Sequence, residues 1–142
     1  RLCRLLCEKF WKITPRFISA AECYESKIQG KTAGVVIGDR TFKMPQKNKF
    51  VYDLAEEWEK WTNTPFVFAA WVSCTALPIN FLVEFGRALE KGVNSIEEAV
   101  KNDNSDFLTA DEKLNYLKNS ISYNLDDTKK KALNIFMKHI RI

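Results

Sequence analysis

The residues best placed to do chemistry are Gly38, Asp39 and Arg40, which directly follow an apolar run at 34–37. That run predicts a β-strand, and in open α/β sheets ligands bind beyond the carboxyl ends of the strands. Gly38 would let a ligand approach the backbone closely, and Asp39 could orient a hydroxyl group or accept a proton. A second interpretation is a strand-ending turn in which Asp39 caps the helical turn that follows. The residues alone favour the two interpretations equally.

The cysteines and the histidine indicate no metal site. Cys3 and Cys7 lie one helical turn apart on one face of a predicted helix, but the remaining ligands of a metal site are missing from the sequence. His139 is the single histidine. We interpret the thiols as buried or half-buried and reduced, which is typical of a cytoplasmic protein. No metal is expected, and the expected localisation is cytoplasmic.

Adjacent carboxylates at 56–57, 97–98 and 126–127 fall in the first turns of predicted helices, where the helix dipole stabilises negative charge. General acid or base catalysis by these pairs is therefore disfavoured. Trp58, Trp61 and Trp71 are interpreted as packing between helix and sheet. The sequence contains no phosphate-binding loop, nucleophile elbow or zinc spacing. No catalytic residue is assigned.

The elements that would position these residues alternate in type over the first part of the chain. Continuous apolar runs at 34–37 and 66–72 predict buried strands, and the segments 20–29 and 54–61 predict helices. This alternation indicates an α/β fold with a parallel sheet covered on both faces.

The second part of the chain is helical in pattern. Capping-box signatures at 95–98 and 109–112 predict two helix starts, and apolar spacing predicts a final helix over 126–139. The change of pattern predicts a domain boundary near Thr64.

Charge and hydropathy exclude two classes of partner. The net charge is only +4 and the acidic and basic residues are interspersed, so nucleic-acid binding is not expected. The basic cluster at 129–131 is interpreted as a solvated helix face. The longest apolar run, at 65–72, is too short to span a bilayer, so no membrane association is expected.

Two stretches together resemble a known family. Residues 33–40 read AGVVIGDR, and residues 52–71 read YDLAEEWEKWTNTPFVFAAW. They are similar to the paired signature of chorismate dehydratases from the futalosine route to menaquinone. The resemblance implies an α/β fold of the periplasmic-binding-protein-like type II class, with two lobes and the substrate held between them. Residues 1–63 would form most of the second lobe, and residues 64–142 the return crossover strand and the C-terminal helices on the first lobe.

The resemblance also implies a reaction, which is the loss of water from chorismate to give 3-[(1-carboxyvinyl)oxy]benzoate. The implied enzyme is a carbon–oxygen lyase that uses neither a metal nor an organic cofactor, and its partner is the small-molecule substrate chorismate. The strand ends that face the implied cleft are the expected substrate contacts: Gly38, Asp39, Thr64, Pro65 and Phe66.

Three alternatives stay open beside this interpretation. The sister enzyme, 1,4-dihydroxy-6-naphthoate synthase, carries His-Glu where this chain has Gly38-Asp39, which disfavours its activity here. A non-catalytic protein that binds a small anion would have the same fold. A free-standing small α/β domain is the third. The chain begins inside a helical pattern without an initiator Met or an N-cap, so we expect upstream truncation and no activity of the 142 residues alone.

Overall fold

The computed structural model of the chain describes residues 1–44 and 49–140, which form helices and irregular segments. The α-helices are α1 (Leu2–Leu5), α2 (Leu54–Thr62), α3 (Ile79–Asn94), α4 (Ile96–Asn102), α5 (Ala110–Asn115) and α6 (Asp127–Ile140). α1 continues as a π-helical turn over Leu6–Phe10 and α5 as one over Tyr116–Ser120, and Tyr24–Lys27 and Gly38–Lys43 are 3-10 helices.

The predicted α/β fold of the periplasmic-binding-protein type is wrong, because the described residues contain no β-strand. The run at 66–72 was expected at the centre of a sheet, yet Phe68, Trp71 and Val72 are 72%, 77% and 87% exposed. In the run at 34–37, Ile37 is 76% exposed. An apolar run favours extended backbone, but a strand also needs a neighbour that pairs with its N–H and C=O groups. No such neighbour lies beside either run in the described chain.

The helix predictions fare better, because helical hydrogen bonds are local. Those over 54–61 and 126–139 are confirmed as α2 and α6. The helix predicted over 20–29 is only the 3-10 helix Tyr24–Lys27. Cys23 directly before it has a left-handed backbone, with φ at 53°. That conformation interrupts a right-handed helix at this residue.

The chain divides into two compact units. Unit 1 comprises Arg1–Phe68 and Asp126–Ile142. Its core contains the fully buried side chains of Leu6 and Trp58, with Leu2 and Leu5 of α1 beside them. The ring of Phe136, from α6, lies edge-on to Trp58 at 5.8 Å between centroids. α1, α2 and α6 therefore share one apolar core, which excludes water from the first helical turns of the chain.

Unit 2 comprises Ala69–Leu125. α4 and α5 pack together here, and α4 buries Ile96 and Val100. Lys113 of α5 is 9% exposed, and its ammonium lies 3.0 Å from a carboxylate oxygen of Asp103. Hydrogen bonds from Ser105 and Lys113 lower the pKa of Asp103 to about 2, so the Asp103 carboxyl is ionised at neutral pH.

Candidate functional site

Gly38 begins a 3-10 helix in a conformation that suits glycine. Its φ is +70°, in the left-handed region where a side chain would strain the backbone. A Cβ built at Gly38 would meet no atom within 4 Å, so the requirement for glycine comes from the backbone and not from crowding. Thr41 closes the turn, because its hydroxyl donates a 2.8 Å hydrogen bond to the Gly38 carbonyl.

Asp39 follows in the first turn of that 3-10 helix, with an exposed side chain. The interpretation of Asp39 as a cap is wrong, because no side chain caps the helix and Ile37 holds the N-cap position. Within the described residues the Asp39 carboxylate has no hydrogen bond or ion pair. The neighbouring Arg40 guanidinium instead lies 3.7 Å from Glu25. The Asp39 side chain is thus exposed, and neither carboxylate oxygen has a partner among residues 1–44 and 49–140.

Thr64 occupies a different environment, since it is 6% exposed beneath α2. The indole N–H of Trp58 donates to the Thr64 hydroxyl at 3.2 Å. The Thr62 hydroxyl donates to the Trp58 carbonyl at 2.9 Å, and the Thr62 and Thr64 hydroxyls lie 2.8 Å apart. A hydroxyl has one hydrogen to donate, and that of Thr62 is already used. Thr64 is therefore the donor in the last bond, and the three residues form a closed circuit through the indole and the main-chain carbonyl of Trp58.

Pro65 and Phe66 leave this circuit along the surface of unit 1, and both are half-buried. The Phe66 ring contacts Trp58 at 5.5 Å and Phe136 at 5.1 Å between centroids. On its other side lies Phe68, at 4.9 Å. Phe66 and Phe68 thus touch each other and offer an edge-to-face aromatic surface.

The five predicted contacts fall into two groups. Thr64, Pro65 and Phe66 are brought together on the aromatic side of α2, and Gly38 and Asp39 lie together in the 3-10 helix. In the described part of the chain no hydrogen bond, ion pair or ring contact joins one group to the other. Their joint action on one substrate is taken up below as a proposal.

Glu57 is a charged side chain whose setting the sequence did not reveal. It is 7% exposed, and both of its carboxylate oxygens are engaged. Lys60 donates to one oxygen at 2.6 Å and the Trp11 indole N–H to the other at 2.8 Å. The hydrogen bond from Lys60, and to a smaller extent that from Trp11, holds the pKa of the Glu57 carboxyl below its usual value. The pair with Lys60 spans one helical turn and was readable from spacing. The hydrogen bond from Trp11, which lies 46 residues away in the sequence, was not readable from spacing.

In the described residues no group of three or more His, Cys, Asp or Glu side chains assembles that could hold a metal ion. The single histidine, His139, lies against the ring of Trp61 at 5.1 Å. What the geometry offers is one exposed carboxylate, one buried hydroxyl circuit and an aromatic surface.

The family model described as menaquinone biosynthesis matches residues 1–141. The chain belongs to the menaquinone-biosynthesis family. No solved structure matches it significantly.

Membership of the menaquinone-biosynthesis family agrees with the resemblance carried by residues 33–40 and 52–71. Every predicted contact lies inside the matched range. In the portion of this family member that the structure describes, no helix has the length and apolar character needed to cross a membrane.

Proposed function

We propose that this chain serves the dehydration of chorismate to 3-[(1-carboxyvinyl)oxy]benzoate, as a hydro-lyase of menaquinone biosynthesis. The observation that carries the proposal is the paired signature at 33–40 and 52–71, which resembles that of chorismate dehydratases. Membership of the menaquinone-biosynthesis family over 1–141 supports the pathway. The substrate and the lyase reaction rest on the resemblance of these two stretches.

The proposed reaction removes a ring hydroxyl and a ring proton from the substrate and leaves an aromatic ring. Aromatisation supplies the driving force, so the protein has to bind the ring and orient the departing groups. Asp39 is the proposed contact to the ring hydroxyl, because its carboxylate is exposed and has no partner in the described part of the chain. A carboxylate within hydrogen-bond reach fixes the direction of the departing hydroxyl group.

Gly38 contributes by its backbone in this proposal. A glycine at φ +70° leaves the space beside Asp39 without a side chain, so a ring can approach the main chain. A histidine at this position belongs to the sister enzyme, and its absence favours the dehydratase over 1,4-dihydroxy-6-naphthoate synthase.

Thr64, Pro65 and Phe66 contribute an apolar wall. The hydrogen of the Thr64 hydroxyl is committed to the circuit with Thr62 and Trp58. Donation from Thr64 to a substrate carboxylate would break that circuit, so its proposed role is to hold the chain that leads into Phe66. The Phe66 ring, with Trp58 behind it, is the proposed stacking surface for the substrate.

The natural gene product that contains this sequence provides the test. Incubated with chorismate and followed by mass spectrometry, it is expected to form a product that has lost one water. Asp39→Asn is expected to lower turnover roughly 100-fold, the typical effect of losing a positioned carboxylate. Asp106→Asn is the matched control, because Asp106 is also exposed and has no polar partner among the described residues.

Three other outcomes of this experiment would contradict parts of the proposal. Chorismate that binds unchanged would indicate a solute-binding protein, and no binding at all would contradict the substrate. Turnover and affinity that both survive Asp39→Asn would make Asp39 a structural residue and contradict its proposed role.

A further inference from the structure

Cys3 and Cys7 form a pair that the proposed reaction does not use. Cys3 lies in α1 and Cys7 in the π-helical turn that continues it, four residues further along the chain. Residues at this spacing face the same side of a helix, with Cβ atoms about 5–6 Å apart. Neither thiol is part of a disulfide. Two free thiols therefore lie on one face of the same helical segment.

The surroundings distinguish this pair from the other two cysteines. Cys7 is 5% exposed, whereas Cys3 is half-buried and reaches the surface. Cys23 and Cys74 are each exposed. Burial is the larger cause, and the neighbouring Cys3 thiol the smaller cause, of a raised pKa of the Cys7 thiol. Cys7 is therefore protonated at neutral pH. An isolated exposed thiol reacts with single-site reagents, whereas a pair on one helical face can hold one centre through two bonds.

We propose that Cys3 and Cys7 form a dithiol site that captures a trivalent arsenical or a similarly soft, thiophilic centre. Soft centres prefer sulfur ligands, and the fixed helix supplies two at once. With an organoarsenic oxide, the arsenic–oxygen double bond breaks and two arsenic–sulfur bonds form. Both thiol protons leave with the oxygen as one water, and nothing is oxidised or reduced. Attack begins at the more accessible Cys3, and ring closure onto Cys7 follows.

Capture at this site would disturb the packing of unit 1. Cys7 is 5% exposed and follows Leu6, a fully buried core residue, along the chain. A bulky group bound at Cys7 has to displace some of the side chains packed on it, since protein cores contain few voids. The tryptophan fluorescence of the chain is therefore expected to change on capture.

Phenylarsine oxide is the probe, and the variant Cys23→Ser/Cys74→Ser leaves only the pair. We expect one adduct per chain in this variant, with the mass of the probe minus one water. The adduct should survive excess 2-mercaptoethanol, because two bonds hold it, and should be removed by the dithiol 2,3-dimercaptopropanol. Absence of this adduct would overturn the proposal.

The reciprocal variant, Cys3→Ser/Cys7→Ala, keeps Cys23 and Cys74. It is expected to give no adduct that survives 2-mercaptoethanol, and an equal adduct there would also overturn the site. Cys3→Ser in the variant without Cys23 and Cys74 guards against misfolding. Cys3 is only half-buried, and an unchanged circular dichroism spectrum would show that the helix persists. In that folded variant, retention of the adduct would contradict the need for two thiols.

Discussion

The hydroxyl hydrogen of Thr64 limits what this predicted substrate contact can do. It is committed to Thr62, while the Thr64 oxygen accepts from the Trp58 indole. The donor hydrogens of the Trp58 indole and of the Thr62 and Thr64 hydroxyls are then all hydrogen-bonded within the protein. A buried circuit of this kind fixes the direction in which the chain leaves α2, which is the direction of Pro65 and Phe66.

Removal of that hydroxyl provides a direct prediction. Thr64→Val keeps the shape of the side chain but leaves the Trp58 N–H without an acceptor, so we expect unfolding free energy to fall by about 1–3 kcal/mol. Urea denaturation followed by tryptophan fluorescence measures the change. Thr32→Val is the control, because Thr32 is exposed and its hydroxyl has no partner within the described chain. Equal effects of the two substitutions would contradict the circuit.

The backbone of Gly38 supplies a second prediction at this scale. Gly38→Ala places a Cβ at φ +70° in open space, so only backbone strain is expected, at about 1–2 kcal/mol of lost stability. Gly86→Ala is the opposite case, because Gly86 lies inside α3 with equal room for a Cβ. There, alanine is expected to add about 1 kcal/mol through helix propensity. Thermal unfolding of both variants measures the difference, and effects of the same sign would refute the backbone argument.

At the scale of elements, two capping-box signatures with the same spacing have different outcomes. At the start of α5 the box is complete, since Thr109 and Glu112 bond each other's backbone N–H groups. Ser95 before α4 makes no cap bond. Thr109 has an extended backbone at φ −66° and ψ 162°, whereas Ser95 is at φ −107° and ψ 21°. A side-chain cap requires the extended conformation. Ser95 also ends α3, so its backbone does not adopt that conformation.

The difference between the two caps is measurable. Thr109→Ala is expected to lower the stability of α5 by about 1 kcal/mol, and Ser95→Ala to change that of α4 by only a few tenths. Amide hydrogen exchange resolved along the chain is the measurement, because it reports each helix separately. Faster exchange in α4 than in α5 after the matched substitutions would contradict the assigned caps.

The distance between partners along the chain explains how much of the fold and site the sequence predicts. α2 is predicted over 54–61, and its Asp53 cap, which accepts from the Ala55 N–H at 2.7 Å, is adjacent to it in sequence. The turn at Gly38 is likewise local. The bond from Trp11 to Glu57 joins two distant segments, and no periodicity reveals it. The strands failed for the same reason, since pairing depends on a second segment that a local pattern does not specify.

At the scale of the whole molecule, both units carry apolar surface in contact with water. In unit 2 no residue of α3 is buried, and Ile79 of that helix is 71% exposed. In unit 1 the segment that follows α2 ends at Phe68, which is 72% exposed. The core around Trp58 therefore accounts for much of the packing in unit 1, and the segment after it has few contacts to hold it.

Hydrogen exchange on the 142-residue chain tests that distribution of stability. Amides of 66–72 have no hydrogen-bond acceptor in the described chain, so they are expected to exchange nearly as fast as an unstructured peptide. Those of α2, anchored by Trp58 in the core, are expected to exchange at least tenfold more slowly, since each 1.4 kcal/mol of protection gives a factor of 10. Mass spectrometry of peptic fragments separates the two segments. Slow exchange over 66–72 would mean that its backbone is paired, which would contradict the irregular segment and restore the strand that the apolar run predicts.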